Sequence, residues 1–226
     1  MTMNMFEQFM SPELLMIPTA TLSMLIPALL IHHKPKLLGN RTTTAITLFL
    51  KMVMMNMTNQ LTPNGQKWCK MLMGLLFMIL LSNLLGLLPY TFTSTSQLSM
   101  NMAMAIPLWM ATIITGMTKK PSATLAHMLP EGSPTPLIPF MIIIETISLL
   151  MRPLALGVRL TANITAGHLL MTMVSTATLN FISTHITMGT MTWLLLFLLS
   201  LLELAVACIQ AYVFVLLIIL YLQENT

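Results

Sequence analysis

Residues 193–222 read "WLLLFLLSLLELAVACIQAYVFVLLIILYL". Apart from Ser200, Glu203 and Gln210, these thirty residues are apolar or aromatic. A helix rises about 1.5 Å per residue, so this stretch would be roughly 45 Å long against a hydrocarbon core of about 30 Å. A helix of that length cannot stand upright in a bilayer and must tilt steeply. The preceding stretch, 137–180, is longer again, is interrupted by Pro153 and has the same mismatch. Joined at about 181–190, the two read as a long, steeply tilted helical hairpin lying along a curved partner.

Three more apolar stretches are long enough to enter a bilayer: 14–31 with Pro18 and Pro27, 71–89, and 98–117. The expected fold is therefore an all-α integral membrane protein with about five membrane-embedded helices. Composition agrees. Of 226 residues 56% are hydrophobic and 7% charged, with a mean hydropathy of +0.85, whereas soluble domains carry about 25% charged residues. Too few charges remain to cover a water-facing surface. Residues 41–58 are of another kind. Ile46, Phe49, Leu50, Val53, Met54 and Met57 recur at helical spacing on one face. That pattern makes an amphipathic helix lying on the membrane or docking a neighbouring subunit. The whole chain, 1–226, reads as one membrane domain, with 1–120 anchoring and 131–226 carrying the hairpin.

Ten Lys and Arg face six acids, none of them Asp, for a net charge of +4. That charge is too small and too scattered for nucleic-acid binding. Lys34, Lys36, Arg41, Lys51, Lys67 and Lys70 lie between the first two apolar stretches, and Lys119 and Lys120 follow the third. The loop "YTFTSTSQ" (90–97) has no charge, and the N-terminal tail has Glu7 and Glu13 without a base. Basic loops stay on the cytoplasm-like side, so the N-terminus is expected outside and the C-terminus inside. The opening "MTMNMFEQFM" has neither a signal-peptide pattern nor an Arg-rich presequence. Cys69 and Cys208 have no metal or redox spacing, and both read as packing residues. The 25 methionines read as flexible fillers of lipid-facing positions.

Ionisable residues inside a membrane are costly and are functional candidates by default. Here they fall in the last two stretches: Glu145, Arg152, Arg159, His168 and Glu203. At about 100° per residue, Arg159 and Asn163 share one helix face. His168, nine residues on, is half a turn out of phase and about 13 Å further along the axis. Glu145 lies within about 40° of the Arg159 stripe. Glu203 and Gln210 share a face of the last helix. No HxxxH or ExxH converges on a metal, no His pair suits a haem, and no GxSxG marks a serine nucleophile. Neither a cofactor nor a metal is expected.

Separated acid, imidazole and amide groups suit a discontinuous proton relay, because Glu and His exchange protons when partly buried. Arg does not, so Arg159 reads as a gate and charge partner. The plainer reading pairs Arg159 with Glu203 or Glu145 as structural ions. In the same plain terms Arg152, beside Pro153, snorkels, His168 caps a carbonyl, and Asn163 and Gln210 bond neighbouring helices. Glu131 sits in a polar, Pro-rich loop and reads as solvated. Gly157, Ala162, Ala166 and Gly167 would admit a close partner.

Three stretches carry a resemblance: "SNLLGLLPYTFT" (82–93), "TPLIPFMIIIETISLLMRPLALGVRLTANITAGHLL" (135–170) and "LLELAVACIQAYVFVLLIILYL" (201–222). In order and spacing the chain resembles the subunit a family of F-type ATP synthases, in its mitochondrial form. The match is loosest in the N-terminal third and at 181–192. The resemblance implies a proton-translocating stator subunit of F0 whose hairpin lies against a ring of proteolipid c subunits. Arg159 matches the arginine that meets the ring carboxylate and keeps two half-channels apart. His168 and Glu203 match the pair lining the half-channel from the intermembrane space. Glu145 matches the acid of the matrix half-channel, and Asn163 and Gln210 match polar residues near the arginine. Implied partners are the c-ring, the peripheral stalk and other F0 subunits, and membrane lipids including cardiolipin, in a dimeric complex. The implied location is the mitochondrial inner membrane, with the N-terminus towards the intermembrane space. Two other readings stand beside it: a membrane scaffold with buried ion pairs, and a secondary transporter. The second would want inverted repeats with paired broken helices, which the uneven polarity of the two halves does not suggest.

Overall fold

The computed structural model describes residues 9–10, 12–14, 17–31, 41–60, 65–88, 91–119, 121–126 and 137–225. Glu7, Lys34, Lys36, Lys120 and Glu131, which entered the reading of the loops, lie outside the described residues. Arg41, Lys51, Lys67, Lys70 and Lys119 are all exposed, as aqueous loop and surface cations must be.

Among the described residues the fold is all-α apart from one minute strand pair. Glu13–Leu14 (β1) pairs antiparallel with Ile17–Pro18 (β2), Glu13 opposite Pro18. The first helix, α1 (Thr19–Ile31), therefore starts later than the apolar run suggests. A residue before proline is pushed out of the helical region, so Ile17 cannot continue a helix into Pro18. The Thr19 N–H instead donates back to the Pro12 carbonyl at 3.3 Å. With 13 residues, α1 is about 20 Å long, short of a crossing by itself. Among the described residues, four helical segments are long and apolar enough to cross: Gly65–Gly86, Leu98–Lys119, Ile138–Thr184 and Ile186–Asn225.

The amphipathic stretch forms α2 (Arg41–Gln60). Met57 is buried and Leu50, Val53 and Met54 are half-buried, while Leu48, Met52 and Met55 face outward. Phe49, expected on the inner face, is exposed, because it sits at the edge of the stripe. A short 3₁₀ turn leads into α3 (Cys69–Gly86), and another leads into α4 (Leu98–Lys119). A six-residue helix, α5 (Pro121–Ala126), has no strong sequence signal beyond a proline at its first position.

The hairpin is α6 (Ile138–Thr184) and α7 (Ile186–Asn225). Pro153 does not end α6, which runs unbroken through it. Proline lacks one N–H, a loss membrane helices absorb, and Pro153 is buried. The joint is a single non-helical residue, His185. Its N–H donates to the Phe181 carbonyl at 2.8 Å, and its own carbonyl accepts from the Gly189 N–H at 3.0 Å. Gly189 is fixed by space: a Cβ there would lie 2.8 Å from Ile182 Cγ1 and 3.0 Å from Ile182 Cα. At 47 and 40 residues the two helices are about 70 and 60 Å long. Both are about twice what an upright crossing needs.

The chain groups into two compact units, to each of which the long helices contribute. The first comprises Met1–Ile31, Phe77–Asn101 and Val158–Val213. Its most buried side chains include Ile79, Leu160 and Ala211 together with the polar Thr95, Asn101 and Gln210. The second comprises His32–Leu76, Met102–Gly157 and Phe214–Thr226. Its interior is more uniformly apolar, with Leu72, Ala105, Leu156, Phe214, Val215 and Leu222.

Candidate functional site

In the first unit α6 has two chemically different sides. Ala155 in the second unit's stretch and Val158, Arg159, Ala162, Asn163 and Ala166 in the first unit's are exposed. Leu156, Gly157, Leu160 and Thr161 are buried. Arg159 thus sits in the exposed stripe, with small residues before and after it. Among the described residues it has no hydrogen bond and no ion pair. The structural pairing weighed for it with Glu203 is not formed among the described residues. The small residues divide in use. Gly157 faces Met102, and a Cβ on it would come within 2.5 Å of Met102 Sδ. Gly167 faces Glu203. Of the four small residues singled out in the sequence, Ala162 and Ala166 stay on the open side with Arg159.

Half a turn round the helix, His168 turns inward towards α7. His168 Nε2 lies 4.0 Å from Glu203 Oε1, with the two side chains 21% and 13% exposed. That separation is too long for a hydrogen bond, and both atoms are buried without a partner among the described residues. A Cβ on Gly167 would fall 2.7 Å from Glu203 Oε1. The glycine therefore makes the space in which the carboxylate can lie beside the imidazole.

Asn163 Nδ2 donates to Gln210 Oε1 at 2.9 Å, and Gln210 is buried. The amides expected near Arg159 thus tie α6 to α7. Sequence reasoning did not single out Asn83 of α3. Its Nδ2 donates to the Ala207 carbonyl at 3.3 Å, between Glu203 and Gln210 along α7. An Asn inside the apolar run "LLSNLLG" was the available signal.

A cavity of about 940 Å³ opens beside the His168–Glu203 pair. Besides those two, its polar wall is Thr19 and Ser23 of α1, Thr91 and Thr93 of the turn before α4, and Thr172 and Ser175 of α6. The rest of its wall is mainly apolar, including Leu22, Ile26, Phe92, Met171 and Leu196. A carboxylate and an imidazole placed side by side are both groups that can take up and release protons.

The second unit holds Glu145, and with it a correction. Arg152 does not reach out alone to an interface: Nη1 donates to Glu224 Oε2 at 2.9 Å, and Nη2 lies 3.8 Å from Glu145 Oε1. Its guanidinium carbon stands 5.1 Å from the centroid of the Tyr221 ring. The planar fork serves two carboxylates and a ring face at once, which an ammonium could not do. Cys69 is buried and Cys208 half-buried, both as free thiols.

The sequence matches the family described as ATP synthase A chain over residues 14–223. It is 88% identical to the ATP synthase F(0) complex subunit a of Lycodon semicarinatus, over the full length of both chains. The proteins of the same name from Struthio camelus and Latimeria chalumnae are 56% and 54% identical, again over both full lengths.

Proposed function

The chain belongs to the ATP synthase A chain family, as a multi-pass membrane subunit a of the F(0) type, and from that premise we propose that it is the proton-translocating stator of the complex. The observation that carries the proposal is the division of α6. Arg159, without a partner among the described residues, faces outward in a stripe of small residues, while His168 and Glu203 meet inside beside a cavity with hydroxyl groups on its largely apolar wall. A fixed cation on an open face suits a mobile carboxylate brought by another subunit. A titratable pair beside such a cavity suits proton delivery.

In this reading a proton reaches Glu203 and His168 from the intermembrane space and neutralises a carboxylate of the c-ring. The neutral carboxylic acid can then turn into lipid, where the anion could not go. After nearly a full turn it meets the matrix half-channel and releases its proton towards Glu145. Arg159 favours the ionised carboxylate, which promotes release, and it repels protons, which keeps the half-channels separate. Asn163 and Gln210 hold α6 and α7 in register beside it. One proton crossing 100 mV yields about 2.3 kcal/mol, so several must be summed per ATP. Rotation does the summing, and no covalent chemistry occurs on this chain.

The setting is the mitochondrial inner membrane, with the N-terminus towards the intermembrane space and the C-terminus in the matrix. Residues 1–120 anchor and 131–226 translocate. The ring, the peripheral stalk, other F0 subunits and cardiolipin-containing lipid surround the chain in a dimeric complex. The scaffold reading is separated by Arg159→Lys. A scaffold tolerates the retained charge. A translocator loses proton-driven ATP synthesis while the complex still assembles, because an ammonium does not reproduce the guanidinium's fork.

A further inference from the structure

The turn that leads into α4, residues 91–97, is buried over most of its length. Thr93 is 6% exposed, Ser94 4%, Thr95 1% and Ser96 8%. Connections ordinarily run over the surface, because a buried one must find a partner for each backbone N–H and C=O. Here the Ser96 N–H and Oγ both donate to the Thr93 carbonyl, at 3.3 and 2.7 Å, and the Gln97 N–H donates to the Ser94 carbonyl at 3.2 Å. Two more bonds reach across six residues each. Thr91 Oγ1 donates at 2.7 Å to the Leu85 carbonyl, sharing its proton with the Leu88 carbonyl. Leu85 lies in the last turn of α3, where helical carbonyls have no partner of their own. Asn101 Nδ2, in the first turn of α4, donates back to the Thr95 carbonyl at 2.7 Å, and Asn101 is fully buried. A hydroxyl such as that of Thr172 only bonds back three residues within its own helix. These two bonds instead fasten the turn to the helix on either side of it.

The fastened turn meets the cavity. Thr91, Phe92 and Thr93 stand on its wall, and so does Gly86, the last residue of α3. Among the described residues of that wall, His168 and Glu203 are the titratable ones. A Cβ on Gly86 would lie 2.8 Å from Thr93 Cγ2. A β-branched side chain has little freedom at χ1 and Thr93 is buried, so the methyl group cannot swing aside without moving the turn. Gly86 therefore sets how closely the turn lies on α3.

We infer that Gly86, Thr91 and Asn101 are positioning residues, which hold the buried turn 91–97 as a fixed wall and so set the approach to the His168–Glu203 pair. They act through the turn and take no proton themselves. A wall that moved inward would leave the chemistry of the pair intact and make the pair harder to reach. The inference rests on the translocator reading above and adds to it the part of the chain that keeps the approach in shape.

The test uses the assembled ATP synthase in membrane vesicles, with rates referred to the amount of assembled complex. Proton-driven ATP synthesis is followed while the pH on the intermembrane-space side is varied, at fixed matrix-side pH and fixed potential. Gly86→Ala costs α3 nothing as a helix, since alanine is the better helix former, yet its Cβ presses on Thr93. Synthesis should slow about tenfold at the native half-maximal pH, part of what an ångström of misplacement can cost, and the half-maximal pH should move towards more acid. Gly86→Ala with Thr93→Ser removes the Cγ2 in the way and should restore the native profile. Thr91→Val, at an exposed position, unfastens the turn at nearly constant volume and should shift the profile in the same direction, while Thr91→Ser should not. A role in folding alone would lower the amount of complex and leave the profile of the assembled fraction in place. An unshifted profile in Gly86→Ala and Thr91→Val, or a double variant no closer to native than Gly86→Ala, overturns the inference. Arg159→Gln in the same vesicles keeps the two questions apart. If that variant still couples, the translocator reading fails. If it uncouples while Gly86→Ala and Thr91→Val keep the native profile, only the positioning role of the turn fails.

Discussion

Asn163 and Gln210, forty-seven residues apart in sequence, meet through a 2.9 Å amide hydrogen bond that fixes α6 against α7 one turn from Arg159. Gln210 is 6% exposed, so removing its partner strands a buried amide oxygen. Asn163→Ala and Gln210→Leu should each lower the thermal stability of the assembled complex. The double variant should lose less than the two losses added. The coupling expected from the cycle is about 1 kcal/mol. Strict additivity would show that the pair is not a working contact.

Glu203 and His168 should matter more to rate than to assembly. Both are partly shielded and neither satisfies the other, at 4.0 Å. Glu203→Gln retains the shape and removes the titration. It should slow proton-driven synthesis on the order of a hundredfold, the scale of a lost proton-transfer group, with complex levels intact. Gly167→Ala should act on the same step less severely, since the new Cβ would lie 2.7 Å from Glu203 Oε1 and push the carboxylate aside. Native rates in both variants would remove the pair from the path.

Arg152 should be intolerant of lysine. The guanidinium meets Glu224 at 2.9 Å, Glu145 at 3.8 Å and the Tyr221 ring at 5.1 Å, and an ammonium can satisfy only part of that set. The side chains are about a third to a half exposed, so each ion pair is worth no more than about 1 kcal/mol. Glu224→Gln should therefore change thermal stability little. Arg152→Lys should cost more, because it loses the ring contact and both pairs loosen together. A larger cost for Glu224→Gln than for Arg152→Lys would contradict this account.

The hairpin joint depends on one glycine. At Gly189 a Cβ would press on the Ile182 backbone at 3.0 Å, and a backbone atom cannot rotate away. Gly189→Val should reduce accumulation of the complex, read by native gel. Gly189→Ala should cost less, and a normal level for Gly189→Val would show that the turn is more open than described.

Much of the fold is legible from hydropathy alone. The lengths of α6 and α7 follow from apolar runs with few signals to stop them, and α2 follows from one helical stripe. Legibility fails where a local signal competes with context. Pro153 reads as an interruption, yet α6 passes through it, because a helix with partners on its buried side can lose one hydrogen bond. Pro18 reads as part of a span, yet it delays α1 through its effect on Ile17. At the site, phase predicted that Arg159 and His168 face opposite ways, and they do. The Arg152–Glu224 pair was hidden because its members stand 72 residues apart and neither stretch hints at the other. The cavity was hidden for the same reason: its wall is assembled from α1, the turn before α4, α6 and α7. A hydroxyl on a helix looks alike in sequence whether it faces lipid or water.

The central claim is that Arg159 separates two proton half-channels, and it is tested most directly by measuring synthesis and leak together. Membrane vesicles carrying the whole complex, native or Arg159→Gln, would be given the same proton gradient. ATP synthesis and passive proton flux would be recorded for equal amounts of assembled enzyme. The account predicts that Arg159→Gln abolishes synthesis while the complex remains assembled and protons leak through it. Unchanged coupling without a leak would contradict it and leave the subunit as a scaffold.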